Sequence, residues 1–118
     1  MILRHPGRAA ATVIAVLAAT SALAQPAQLT QAQRQHVAAL GQALATCHRQ
    51  NVQRLARLGT PGQVTDRVLA ACASREAPIR AEVVRFYGAQ NAPRVIAAQR
   101  AHYRQAIGQL IAQARGRG

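Results

Sequence analysis

Leu58-Gly59-Thr60-Pro61-Gly62-Gln63 lies midway between the only two cysteines of the chain, Cys47 and Cys72. It reads as one helix stopping and another starting. Glycine after Leu58 closes a helix. Thr60, with Gln63 three residues later, forms a capping box in which side chain and backbone satisfy each other's free groups. Pro61 takes the first helical position, where its missing N–H costs nothing. Two antiparallel helices hinged at this turn bring Cys47 opposite Cys72, each on an apolar face. The expected pairing sets Leu55 against Val64, Asn51 against Val68, Leu44 against Arg75 and Leu40 against Ile79.

Working outward, Thr30 and Gln33 repeat the box at the start of the first helix, predicted over 31–58. The second is predicted over 61–87, stopping at Gly88. Asn91 is a good cap for a third, with Pro93 in its first turn and the pattern continuing to about Ala114, before Arg115-Gly116-Arg117-Gly118. No stretch alternates as a strand does. Seams recur at steps of three and four, apolar except for Asn51, Arg75 and Gln99: Val37, Leu40, Leu44, Cys47, Asn51, Leu55 and Leu58 on the first helix; Val64, Val68, Cys72, Arg75, Ile79, Val83 and Phe86 on the second; Ile96, Gln99, Tyr103, Ile107, Leu110 and Ala114 on the third. One buried face per helix predicts an all-α fold, a small three-helix bundle whose first two helices form a hairpin stapled by a Cys47–Cys72 disulfide. Pro78 interrupts the second pattern, so a kink or short break near Ala77 follows. Glu76 and Ala77 are poor caps for a new helix, which favours a kinked, continuous one.

The compartment is read from residues 1–24. Arg4, His5 and Arg8 precede an apolar run from Ala9 to Ala19, and Ala22-Leu23-Ala24 is a small-x-small cleavage pattern. Even extended to Ala24 the run is short of the roughly 20 residues that span a bilayer. A cleaved export signal is the expectation, with a mature single helical domain over 25–118, no transmembrane anchor, and a periplasmic or secreted location. An oxidising compartment favours the disulfide.

Lysine is absent. The mature chain sets 13 arginines against Asp66, Glu76 and Glu82, a charge of +10 with histidines neutral. Such a field attracts anionic partners, so anionic lipid, lipopolysaccharide or an acidic protein is the expected class. Nucleic acid is not expected: no two arginines are adjacent, and Phe86, Tyr87 and Tyr103 are too few for a base-stacking platform.

The residues offer little for catalysis. Cys47 and His48 are neighbours on a helix and point about 100° apart. His36, His48 and His102 lack the i, i+4 spacing of a helical metal pair and are expected at the surface or its boundary. Each acid has a structural use: Asp66 near the start of the second helix, Glu76 four before Arg80, Glu82 three before Arg85. No catalytic residue, metal or cofactor is expected, and the chain reads as a non-enzyme.

Leu29-Thr30-Gln31-Ala32-Gln33 matches the Leu-Thr-x-x-Gln signature of the Spy/CpxP group, and in this segment the chain resembles those small, helical, basic periplasmic stress proteins. The second Thr-x-x-Gln, Thr60 to Gln63, follows Gly59 instead of leucine. An export signal before a helical hairpin with one cysteine per arm is similar to the small exported proteobacterial two-cysteine proteins of unknown function. Two functions follow as expectations: an interaction protein at an anionic envelope component, or a periplasmic stress chaperone or adaptor, as the Spy/CpxP resemblance implies. Inhibition of a secreted hydrolase ranks behind both, because lysozyme-like targets are themselves cationic.

Overall fold

Both capping boxes form. Thr30 Oγ1 accepts from the Gln33 amide at 3.1 Å while Gln33 Oε1 accepts from the Thr30 amide at 2.8 Å; for Thr60 and Gln63 the distances are 3.2 and 2.9 Å. A Cβ at Gly59 would lie 2.9 Å from Gln63 Oε1, the atom that closes the second box, so glycine leaves that side chain room to fold back. The computed structural model describes residues 28–117, and the export signal read at 1–24 lies outside them. The described residues form three helices and no strand: α1 (Gln31–Leu55), α2 (Pro61–Ala71) and α3 (Ala73–Gly116). Gly88, at φ 80° and ψ 159°, divides α3 into arms 73–87 and 89–116.

Cys47 and Cys72 are joined by a disulfide, with Cα atoms 5.9 Å apart. Asn51, the polar member of the first seam, is satisfied beside it. Its Nδ2 donates to the Cys47 carbonyl at 2.9 Å and lies 3.4 and 3.5 Å from the two sulfurs, and its Oδ1 accepts from Arg54 at 2.7 Å.

Four expectations are corrected. First, α1 stops at Leu55 and not at 58. The Leu58 amide donates to the Leu55 carbonyl at 2.9 Å, a tighter turn than α, and Leu58 leaves the seam to stand 58% exposed.

Second, the helix predicted over 61–87 breaks at Cys72 (φ −102°, ψ 11°), six residues before Pro78, while the backbone at Pro78 is helical. At the break the groups of Cys72 itself are bonded: its amide donates to Val68, and its carbonyl accepts from the amides of both Arg75 and Glu76. Pro78 then lies early in α3 with helical backbone around it. The carbonyl it fails to bond is that of Ser74, an exposed residue that water reaches.

Third, the break shifts the helical phase, so Arg75 is exposed while Glu76 turns inward at 2% exposure.

Fourth, Asn91 does not cap a new helix. The chain re-enters helix directly after Gly88, and Asn91 Nδ2 donates backwards to the Tyr87 carbonyl at 3.2 Å.

The buried core joins Leu44, Val52, Leu55 and Ala56 to Val64, Val68, Leu69 and Cys72, and to Ile79, Ile107 and Ile111 of α3. Val52, Leu69 and Ile111 were not on the predicted seams. A helix packed against two neighbours buries a wider stripe than one seam, and His48, Val52, Thr65, Leu69 and Glu76 form that second strip. Among the described residues no helix is long and apolar enough to cross a membrane.

Candidate functional site

Beside the disulfide, three segments each contribute a polar side chain to one layer. α1 supplies His48, 6% exposed; arm 73–87 supplies Glu76, 2% exposed; arm 89–116 supplies Arg100 and Tyr103. His48 occupies the position after Cys47, so the staple that holds Cys47 against Cys72 also holds the imidazole inside. Glu76 points in because the helix restarts at Ala73.

Glu76 is bound by Arg100, whose Nη1 lies 3.4 and 3.2 Å from its two carboxylate oxygens, and by Arg80 Nε at 3.9 Å. Burying a carboxylate is tolerable only with such partners. The His48 ring meets the edge of Tyr103 at a centroid distance of 5.6 Å and 63° between planes, and His48 Nε2 is a buried nitrogen with no hydrogen-bond partner. Burial pushes the His48 pKa below its ordinary 6.5, against the opposing pull of the Glu76 charge. The Tyr103 phenol is pushed above its ordinary 10, first by burial and then by the same carboxylate.

The placement of His48 corrects the surface or boundary position expected for it; His36 and His102 are exposed, as read. His36 Nε2 stands 3.8 Å from Glu82. The Glu76–Arg80 and Glu82–Arg85 pairs read from the sequence are present, the second at 2.6 Å, while Asp66 lies beyond the first turn of α2 and binds Arg104 at 2.9 Å. Sequence reasoning missed Arg100 and Arg104 as partners because one pairing crosses between the two arms of α3 and the other between α2 and α3. The signal that could have found Glu76–Arg100 is their equal offset from Gly88. Among the described residues no group of three or more His, Cys, Asp or Glu is arranged to hold a metal ion.

The second feature is the arginine surface. All three acids are matched to arginines, and α1 contains no acid at all while carrying Arg34, Arg49 and Arg54, all exposed. At the Gly59 end guanidinium groups serve the helix ends. Arg115 Nε donates to the Ala56 carbonyl at 2.7 Å and its Nη2 to that of Gly59, while Arg57 reaches the Ala114 and Arg115 carbonyls at 3.3 and 3.5 Å. The ends of α1 and α3 therefore exchange arginines, each placing positive charge where unbonded carbonyls gather. No protein-family model matches the chain, and neither does any curated protein or solved structure.

Proposed function

We propose that the chain is an exported, non-enzymatic three-helix bundle that docks on an anionic component of the cell envelope through its arginine surface. The antiparallel contacts Cys47–Cys72, His36–Glu82 and Glu76–Arg100, together with the contact of Arg115 with Ala56 between the parallel α1 and arm 89–116, support the bundle. The observation that carries the docking is the charge distribution. Every acid is already matched to an arginine, so the exposed guanidinium groups that remain, above all those on acid-free α1, face solvent with no internal counter-charge. Guanidinium groups suit phosphate and carboxylate because their fixed forks donate two parallel hydrogen bonds. A non-enzymatic reading is supported by the burial of His48 and Glu76, which no substrate reaches in this conformation. The mature chain is expected to bind vesicles containing a quarter phosphatidylglycerol and to ignore neutral phosphatidylcholine vesicles. Binding should weaken steeply with added salt, since exposed charges are screened beyond about 8 Å at physiological ionic strength. Equal binding to both vesicles, or binding that ignores salt, rules the reading out.

The second reading, a periplasmic stress chaperone or adaptor like the Spy/CpxP proteins the chain resembles, is favoured by Val84 and Tyr87. They are exposed three residues apart on one face of arm 73–87 and offer an apolar contact to an unfolded client. Suppression of client aggregation at near-stoichiometric ratio is its test. Failure across several clients at low and moderate salt removes it.

A further inference from the structure

The unpartnered Nε2 of His48 stands out among the described residues because buried polar atoms are almost always paired. As a neutral imidazole the group bears this position; as a cation it would bury a charge without a partner of its own. The carboxylate nearest to hand, Glu76, is already shared by Arg100 and Arg80, so protonation sets a third cation around one anion. Arm 89–116 also brings Tyr103, with exposed His102 beside that ring. α2 offers no relief: Asp66 is exposed and bound to Arg104, and Arg67 is exposed. On α1, Arg49 is exposed and bonds Thr46.

Hydrating the cation requires one wall to move, and the walls are not equally free. α1 and α2 are tied by the disulfide immediately beside His48. Arm 89–116 joins the rest of the chain only through Gly88. Otherwise it is held by packing and by exposed or half-exposed arginine contacts. We propose that His48 is an acid-sensitive latch, whose protonation releases arm 89–116 from the stapled pair α1 and α2, taking Tyr103, Ile107 and Ile111 out of the core.

Burial lowers the pKa of His48 in the closed form, so the opened form binds the proton more readily. The closed form therefore keeps its full advantage above about pH 6.5 and loses it as pH falls from there toward the lowered value.

Amide hydrogen exchange of the full chain at pH 7 and pH 5, corrected for intrinsic rates, is the test. One proton taken up at an ordinary histidine pKa raises the opening equilibrium by up to about twenty-fivefold over this range. Protection in arm 89–116 should fall several-fold or more, while that of α1 and α2 near the staple falls much less. His48→Leu and His48→Gln should abolish the difference, and the double variant His36→Gln and His102→Gln should keep it. Equal protection at both pH values in the wild type overturns the latch, as does a loss that persists without His48. The NMR titration of the wild-type His48 ring keeps the test decisive if neither His48 variant folds. Its midpoint must coincide with the loss of protection, and a separate midpoint overturns the proposal.

Discussion

Glu76 and Arg100 lie equally far along the chain from Gly88, on opposite sides of it, and meet at 3.2 Å. This geometry identifies α3 as a hairpin of two arms hinged at one glycine. The ion pair then couples the second arm to a carboxylate that the stapled half of the molecule has buried.

Replacing Arg100 by Met should destabilise the protein by about 2–4 kcal/mol, because it leaves a buried carboxylate with only the longer contact to Arg80. Arg85→Met removes an exposed pair to Glu82 and should cost no more than about 1 kcal/mol. Urea denaturation at pH 7 measures both, and equal costs would show that burial of Glu76 is not what makes its pair matter.

Gly88 occupies a backbone region open essentially to glycine alone, so Gly88→Ala should cost about 1–3 kcal/mol although nothing lies near a Cβ there. Gly41, exposed within α1 and with equally open space, should behave in the opposite sense. Gly41→Ala should stabilise by about 0.5–1 kcal/mol through the entropy of the unfolded chain. The sign of the two Tm shifts is the check.

The Cys47→Ala, Cys72→Ala double variant should lose about 2–5 kcal/mol, comparable with the roughly 3–5 kcal/mol that so small a core supplies. It should be protease-sensitive at 37 °C, with Asn51 Nδ2 losing both sulfur neighbours. A cooperative melt within a few degrees of the wild type would mean that helix packing alone maintains the fold.

Arg115→Gln should cost about 1–3 kcal/mol by removing charge-assisted bonds to the Ala56 and Gly59 carbonyls. The loss should appear locally, as faster amide exchange at the end of α1 and the end of α3. Unchanged exchange there would show that water replaces the guanidinium without penalty.

What could be read directly from the residues was local. The boxes at Thr30 and Thr60 start their helices because a threonine and a glutamine three apart suffice to satisfy free amides, whatever lies elsewhere. Gly88 likewise marks a reversal by its own backbone freedom. The disulfide was legible because a single turn separates its two cysteines, so their positions about Gly59 and Thr60 set the pairing. Pro78 misled for the complementary reason. Its local cost is real, but the break sits at Cys72, whose own amide and carbonyl are bonded, and the lost bond falls on Ser74, which is exposed.

The amino-acid sequence by itself thus determined an all-α chain, the starts of α1 and α2, and its staple, since each depends on residues within one helix or one turn. Only the tertiary structure decided that His48 and Glu76 are buried and that Arg100, Arg104 and Arg115 hold the second arm of α3. Those outcomes depend on the second stripe of each helix, and on a phase shift at Cys72 that turns Glu76 inward in place of Arg75. Neither is a property of any one helix; both arise when the third segment packs against the first two and must find partners for the charges it covers.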